Sequence, residues 1–370
     1  MESVAGQFEI PGRFIEAVSY GSGHIHDTYL VRFRAGQQDS RYIFQQINRE
    51  IFRDPVALMD NLAKICAHQR EALIIEGASD ADRRYPAVIN ARDGASHWVD
   101  LAGNYWRCFA FQEGTHSVDR VENEQQAYQI AKAFGSFAAR MADFDAAELV
   151  VTIPRFHDLE HRHAVLEVAL RDDTLGNAGS AVSEIERSGH WFDQLSGQLR
   201  AAGADELPTR VVHNDCKINN VLLDLKTGEG LCVIDLDTVM SGHVMSDFGE
   251  LIRSVSGRAN EDEVRPDAMS IDPSWLRGAV RGYLAGAGAL LTPAELRVLP
   301  LAGAAMALEN GIRFLTDHLL GDVYFRTRHA GQNLERCRAQ LRLVELLSDR
   351  QEEIDALLAA AEADAGSLAE

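Results

Sequence analysis

The sequence predicts an α+β protein of two lobes, a small antiparallel β-rich N-terminal lobe and a larger, mainly helical C-terminal lobe. Three observations carry this. Short apolar runs bounded by turn residues crowd the region up to Gln112, and apolar residues recur at helical spacing from Glu124 onward. One compact pair of strand-like runs is embedded in the helical part, between Arg210 and Asp237. The boundary falls at Gln112, giving lobes 1–112 and 113–370, each long enough to bury its own apolar core.

In chain order, Val18 to Phe33 reads as strand, tight turn, strand, because Tyr20-Gly21-Ser22-Gly23 breaks two strand-forming runs. Arg41 to Ile47 is a third strand. Asp54-Pro55 opens a helix, Asp as the N-cap and Pro in the first turn, and apolar residues continue it from Val56 to Ile75. Further short strands are expected at Tyr85 to Asn90, His97 to Asp100 and Tyr105 to Phe111. Glu124 to Phe144 is helical. Val221-Leu222-Leu223 and Leu231-Cys232-Val233-Ile234 flank the turn Thr227-Gly228-Glu229-Gly230 and form a hairpin. Glu335 to Leu347 is amphipathic, and the Ala- and Glu-rich tail after Asp349 is expected to fray.

Thirty-six Lys and Arg against fifty-six Asp and Glu give a formal charge of -20, which argues against nucleic acid or an anionic membrane as partner. Cys66, Cys108, Cys216, Cys232 and Cys337 are scattered without a C-x-x-C pair, so reduced thiols in a cytoplasmic protein are expected, not zinc or disulfides. The N-terminus lacks the pattern of a secretory signal, and no uninterrupted apolar run reaches the roughly 20 residues that span a bilayer. The His161-Arg162-His163 cluster reads as a solvated helix face.

The most informative segment is His213-Asn214-Asp215-Cys216-Lys217-Ile218-Asn219-Asn220, followed by Val233-Ile234-Asp235-Leu236-Asp237. Phosphoryl transfer needs a carboxylate to orient the attacking hydroxyl and take its proton, and oxygen ligands to hold Mg2+ against the phosphates. Asp215 suits the first task. Asn220 and Asp235 suit the second, since an amide oxygen and a carboxylate are hard ligands matched to Mg2+. The hairpin between them returns residue 235 to residue 220, and His213 sits behind the loop as a structural hydrogen-bonding residue.

With these residues the sequence resembles the aminoglycoside phosphotransferase and choline kinase superfamily, which has a protein-kinase-like fold. It is most similar to the N-acetylhexosamine 1-kinase-like sugar kinases. Beside the two segments above, the likeness is carried by Ser246-Asp247-Phe248-Gly249, by Tyr42-Ile43-Phe44-Gln45-Gln46-Ile47-Asn48 and by Arg313-Phe314-Leu315-Thr316-Asp317, and it runs over nearly the whole chain. The resemblance implies ATP and Mg2+ as cofactors, Asp215 as catalytic base, and Asn220 and Asp235 as metal ligands. Asp237 is either a water-mediated metal contact or a loop cap. Asp247 braces the catalytic loop, and Lys217 either neutralises the transferred phosphoryl or faces solvent. Gly21, Ser22 and Gly23 form the turn over the nucleotide phosphates, where small residues let backbone amides approach. Gln45 occupies the position where the third strand should offer a Lys, and Gln112 and Glu113 lie in the adenine-binding connector Phe109 to Gly114.

On the acceptor side the resemblance implies Arg313 and Tyr324 as substrate-binding residues beside Asp215, with His24, His26 and Asp27 as further residues facing the acceptor. The expected activity is phosphorylation of a hydroxyl of an amino sugar or related hexose. An aminoglycoside- or choline-type acceptor is the alternative with the same chemistry, and a non-catalytic nucleotide-binding module is the alternative without it. The small-molecule acceptor is the expected partner, and monomer or homodimer is left open.

Overall fold

The structure is a computed structural model, described here for residues 1–21, 25–257 and 269–367. The N-terminal region comprises α1 (Glu2–Ala5), β1 (Arg13–Ser19), β2 (Asp27–Ala35), β3 (Gln38–Gln46), α2 (Pro55–Ile75), β4 (Trp98–Val99) and β5 (Tyr105–Ala110). There follow β6 (Thr115–His116), α3 (Glu124–Arg140), α4 (Leu159–Asp172), α5 (Val182–Ala202), β7 (Arg210–Val212), β8 (Val221–Asp224), β9 (Gly230–Val233) and β10 (Met240–Gly242). The chain closes with α6 (Val244–Ser256), α7 (Pro273–Ala287), α8 (Pro293–Leu319), α9 (Gln332–Ser348) and α10 (Gln351–Ser367).

Five strands form one antiparallel sheet in the order β1-β2-β3-β5-β4. Its alternating residues Val31, Phe33, Phe44, Trp106 and Cys108 bury a small core together with Phe8 and Ile10. A second, larger core collects α2 and the C-terminal helices. This is the bilobal arrangement of kinase-like proteins. Asp54 caps α2, its carboxylate accepting from the Ala57 N–H at 3.0 Å. Residues 85–90 do not form the expected strand. They run beside β5 through a bridge between Val88 and Phe109, and Pro86, with a fixed φ and no N–H, interrupts any longer ladder. The tail after Asp349 is helical as α10, because Ile354 and Leu358 are buried against the large core.

The large lobe is built on a close contact between α3 and α7. A Cβ on Gly278, Gly282 or Gly286 would lie 2.4, 2.2 or 2.3 Å from the backbone oxygens of Glu124, Tyr128 and Lys132. These glycines recur every four residues, so they form one stripe along α7. The backbones meet there without side chains between them. Such contact fixes α3, whose Phe134 and Phe137 lie edge-on to the ring of His213 at 5.4 and 5.7 Å. Across the core runs α8, 27 residues long and apolar enough to cross a bilayer by length and composition, with 94% of its most apolar window buried inside the fold. All five cysteines are buried and unpaired.

Candidate active site

The loop from His213 to Asn220, expected to be catalytic, begins where β7 ends. Pairing of Val212 with Met240 fixes its start, and the β8–β9 hairpin fixes its return, with Val221 opposite Val233. Asn214 and Asp235 both adopt left-handed φ values, 63° and 61°. Non-glycine residues persist there only when surroundings hold them. For Asn214 the holding groups are explicit. Asp247 on α6 accepts from the N–H groups of His213 at 2.9 Å and Asn214 at 2.7 Å. Asn214 Nδ2 donates to the Thr238 carbonyl at 2.9 Å.

His213 Nδ1 accepts from the Asp215 N–H at 3.2 Å, which leaves the proton on Nε2 to donate to the Ile234 carbonyl at 3.0 Å. The ring therefore spans both halves of the site. A second histidine, His157, does the same from outside. Its Nε2 donates to the Asn214 carbonyl at 2.8 Å, and Nδ1 bonds Glu309 at 3.0 Å. Burial disfavours the charged ring, yet Glu309 and the Asn214 carbonyl outweigh it and raise the His157 pKa.

Asp215 lies in this frame with both oxygens engaged. Lys217 Nζ is 2.9 Å from Oδ1, and Asn220 Nδ2 donates to Oδ2 at 2.9 Å. Burial raises the pKa of this carboxyl, but Lys217, His213 and Asn220 together bring it below the ordinary value. Asp215 is thus held as a carboxylate, the form that accepts a proton. The amide nitrogen of Asn220 donates to the backbone carbonyl and the carboxylate of Asp215, and the backbone carbonyl of Asn220 accepts from the Ile234 N–H at 2.9 Å. Asp235 is exposed and lies beside this pair. Its surroundings, then Asp237 and Asp215, push its pKa up to about 6.

Asp237 and Asp215 both raise the Asp235 pKa, so a cation beside Asp235 would be stabilised. Among the described residues no three His, Cys, Asp or Glu side chains close a metal site on their own. That fits an ion held by one carboxylate and one amide oxygen and completed by phosphate and water, the habit of Mg2+. Asp237 takes a different part from the metal contact expected of it. Arg107 grips both of its oxygens, Nη1 donating to Oδ1 at 2.5 Å and Nη2 to Oδ2 at 2.7 Å, and His26 Nε2 lies 2.5 Å from Oδ2. With both oxygens committed to cationic or N–H donors, Asp237 is an ion-pair partner. His26 accordingly turns to Asp237 and not toward an acceptor, while its Nδ1 accepts from the Asn48 N–H at 3.1 Å. Asp27 opens β2 opposite Gln46.

At the nucleotide end Gly21 has φ +81° with open space around it. Ser22, Gly23 and His24 lie outside the described residues. Gln45 donates to Thr28 Oγ1 at 3.1 Å and accepts from Arg107 Nε at 2.9 Å. In the connector the Gln112 side chain donates to the Tyr85 carbonyl at 3.1 Å, and Glu113 pairs with Arg41, whose guanidinium lies 4.0 Å above the Phe111 ring. The carbonyls of Gln112 and Glu113 accept from Thr115 Oγ1 at 2.7 Å and from Arg83 at 3.1 Å.

On the acceptor side, Arg313 of α8 lies 5.4 Å from the Phe156 ring and 5.5 Å from the Phe325 ring. Phe156 precedes the His157 that holds the catalytic loop, which ties Arg313 to the neighbourhood of Asp215. Tyr324 is 60% exposed and edge-on to Phe325 at 4.8 Å. Arg162 departs from the solvated face expected of it. It is half-buried, donates to the Phe156 carbonyl at 2.8 Å, and its Nε is buried without a hydrogen-bond partner. Burial and the neighbouring Arg313 charge lower its pKa. The reason is local: Asp158 caps α4, accepting from the His161 N–H at 2.8 Å, and directs the first turn inward. His163 stacks on Phe192 at 3.7 Å.

Fold and site together define a kinase-like phosphotransferase of small molecules. The chain belongs to the phosphotransferase enzyme family (APH), whose model matches residues 16–299. Solved structures share its fold at low identity. One is a microcompartment-associated aminopropanol kinase, 18% identical, with 96% of this chain and 98% of that one covered at a TM-score of 0.59. Another is a choline kinase from Cryptosporidium parvum, 15% identical, with 94% and 93% covered at 0.56. A third is a spectinomycin phosphotransferase in complex with ADP and spectinomycin, 11% identical, with 92% and 94% covered at 0.56. The chain is therefore an enzyme transferring a phosphoryl group to a small-molecule hydroxyl.

Proposed function

We propose that the enzyme moves the γ-phosphoryl group of ATP to a hydroxyl of an amino sugar or related hexose, in the manner of the N-acetylhexosamine 1-kinase-like branch. The observation that carries the reading is the cluster of Asp215, Asn220 and Asp235: Asn220 donates to Asp215, whose pKa is lowered, and Asp215 is near enough to raise the Asp235 pKa. Asn220 and Asp235 would hold Mg2+, which when bound offsets phosphate charge. Asp215 orients the acceptor hydroxyl and takes its proton as the P–O bond forms. Lys217, already on Asp215, lies where it can follow the transferred phosphoryl. ATP use accords with the ADP held by a fold neighbour.

Arg313 and Arg162 lie near each other, with Glu309 and Asp158 beside them, and the two guanidinium groups are taken to favour a neutral acceptor over a cation such as choline or an aminoglycoside. Arg313 and Tyr324 offer hydrogen bonds to hydroxyl and carbonyl oxygens instead. The test is ADP release with ATP and Mg2+ over N-acetylglucosamine, N-acetylgalactosamine, plain hexoses, choline and aminoglycosides, with Asp215→Ala as the blank. Turnover confined to sugars supports the reading. Turnover confined to amines would move the enzyme to the choline or antibiotic branch, and silence on every acceptor would overturn it.

A further inference from the structure

The cation missing from β3 enters the site from the neighbouring strand. Arg107 stands in the middle of β5, only 1% exposed, directly opposite Gln45 in the β3–β5 register. Its guanidinium reaches out of the small sheet to the turn that follows Asp235 and pairs with Asp237 in a two-pronged grip. Both partners are almost completely removed from water, with side-chain exposures of 2% and 3%. A charge in such a place persists only if its partner and the remaining N–H groups are satisfied. Gln45 supplies that support, accepting from Nε while being held itself by Thr28. The neutral residue on β3 thus orients a cation in place of carrying one.

The grip acts on the residue two positions before it. Asp235 sits at φ 61°, and Leu236, Asp237 and Thr238 form a single tight turn after it. The far end of that turn is tied to the catalytic loop, with Thr238 Oγ1 donating to the His213 carbonyl at 2.8 Å. The near end is tied by Asp237, whose carbonyl also accepts from Thr152 Oγ1 at 3.0 Å. Arg107 neutralises a carboxylate that would otherwise repel Asp235 across two residues in a desolvated seam. His26 adds an N–H, backed by stacking on Phe52 at 5.4 Å, but its Nδ1 is occupied by the Asn48 N–H, so it supplies a hydrogen bond and Arg107 the charge.

We propose that Arg107 is a positioning residue: by pairing with Asp237 across the seam between the lobes it fixes the 235–237 turn and thereby aims Asp235 at the metal. The inference rests on the reading of Asp235 as a metal ligand given above. Arg107 touches neither acceptor nor phosphate in this role. Its effect is therefore confined to metal-dependent nucleotide binding, which separates it from a phosphate-binding cation.

The test is calorimetric titration of ADP into the full-length protein at stepped Mg2+ concentrations and again in EDTA. Arg107→Met is expected to raise the Mg2+ concentration for half-maximal ADP binding by about tenfold or more, the usual effect of removing a residue that orients a metal ligand. ADP binding in EDTA should stay within about threefold of wild type, and Arg107→Lys, which keeps the charge but not the fork, should recover part of the loss. Arg107→Met strands the Asp237 charge. If that variant does not fold, Arg107→Met/Asp237→Asn removes both charges and carries the same expectation. An unchanged Mg2+ dependence in the folded variant overturns the inference. So does an equal loss of ADP binding with and without Mg2+, which would make Arg107 a phosphate contact. Asp235→Ala keeps the two readings apart: if it also leaves the Mg2+ dependence unchanged, the metal assignment itself has failed.

Discussion

Asp317 holds Tyr324 by its backbone. One carboxylate oxygen accepts from the N–H groups of Val323 at 3.0 Å and Tyr324 at 2.8 Å, the other from Phe325 at 2.9 Å, and Asn333 Nδ2 adds a fourth bond at 2.8 Å. Asp317 is buried in α8, one turn beyond Arg313, so a rigid helix sets the distance between the guanidinium and the loop bearing the tyrosine. Asp317→Ala should raise the acceptor KM by about tenfold or more while leaving the KM for ATP within about twofold, since only the acceptor wall loses its geometry. Steady-state kinetics on the acceptor that turns over would check this. Equal effects on both substrates would count against an acceptor-side role.

Asp215→Asn should lower kcat by about a thousandfold or more, because the amide no longer accepts a proton. Binding of ADP with Mg2+, followed by calorimetry, should remain within about threefold of wild type. The neutral side chain keeps its contact with Asn220 and loses the ion pair with Lys217.

Asp235 gives the enzyme a stability cost that depends on pH. Its folded-state pKa lies near 6, above the ordinary value of 3.8. Below that ordinary value the group is protonated in both folded and unfolded chains and nothing is lost. As pH rises toward 6 the unfolded chain releases the proton first, so stability declines, and above 6 the cost is fully present. Asp235→Asn should therefore melt at a higher temperature than wild type at pH 8 without Mg2+, the gap closing toward pH 4, while turnover is abolished. Thermal melts across that range would decide it, and a variant that melts lower at pH 8 would contradict it.

The glycine stripe of α7 predicts opposite signs for two like substitutions. Gly282→Ala places a methyl group 2.2 Å from the Tyr128 carbonyl oxygen, and α3 and α7 must separate to admit it. The cost should be about 1–3 kcal/mol, seen in denaturant titration. Gly197→Ala in α5 meets open space and should stabilise by about 0.5–1 kcal/mol through helix propensity.

The loop from His213 to Asn220 and the hairpin after it were legible as a unit because their groups lie within one short segment punctuated by apolar runs and a glycine turn. Asp215, Asn220 and Asp235 could be named together for that reason. Arg107 was not legible as a site residue, since its partner Asp237 lies 130 positions away and no local pattern joins them. The signal available was an arginine between Trp106 and Cys108, an inward charge in an apolar strand, which calls for a buried partner. His157 was missed in the same way, its bonds to Asn214 and Glu309 being tertiary. Arg162 was misjudged from its polar neighbours, and residues 85–90 from composition that ignored Pro86.

The burial of α8 bears on how the protein is made. The helix packs against α4, α5, α6, α9 and α10, yet it leaves the ribosome only after the first three of these. Their inner faces must wait uncovered for α8, and α8 itself is apolar enough to attract membranes or other nascent chains while it waits for α9. The C-terminal lobe thus cannot close progressively during synthesis, and a chain interrupted before Leu319 would leave its helices without the element that joins them, prey to aggregation and proteolysis.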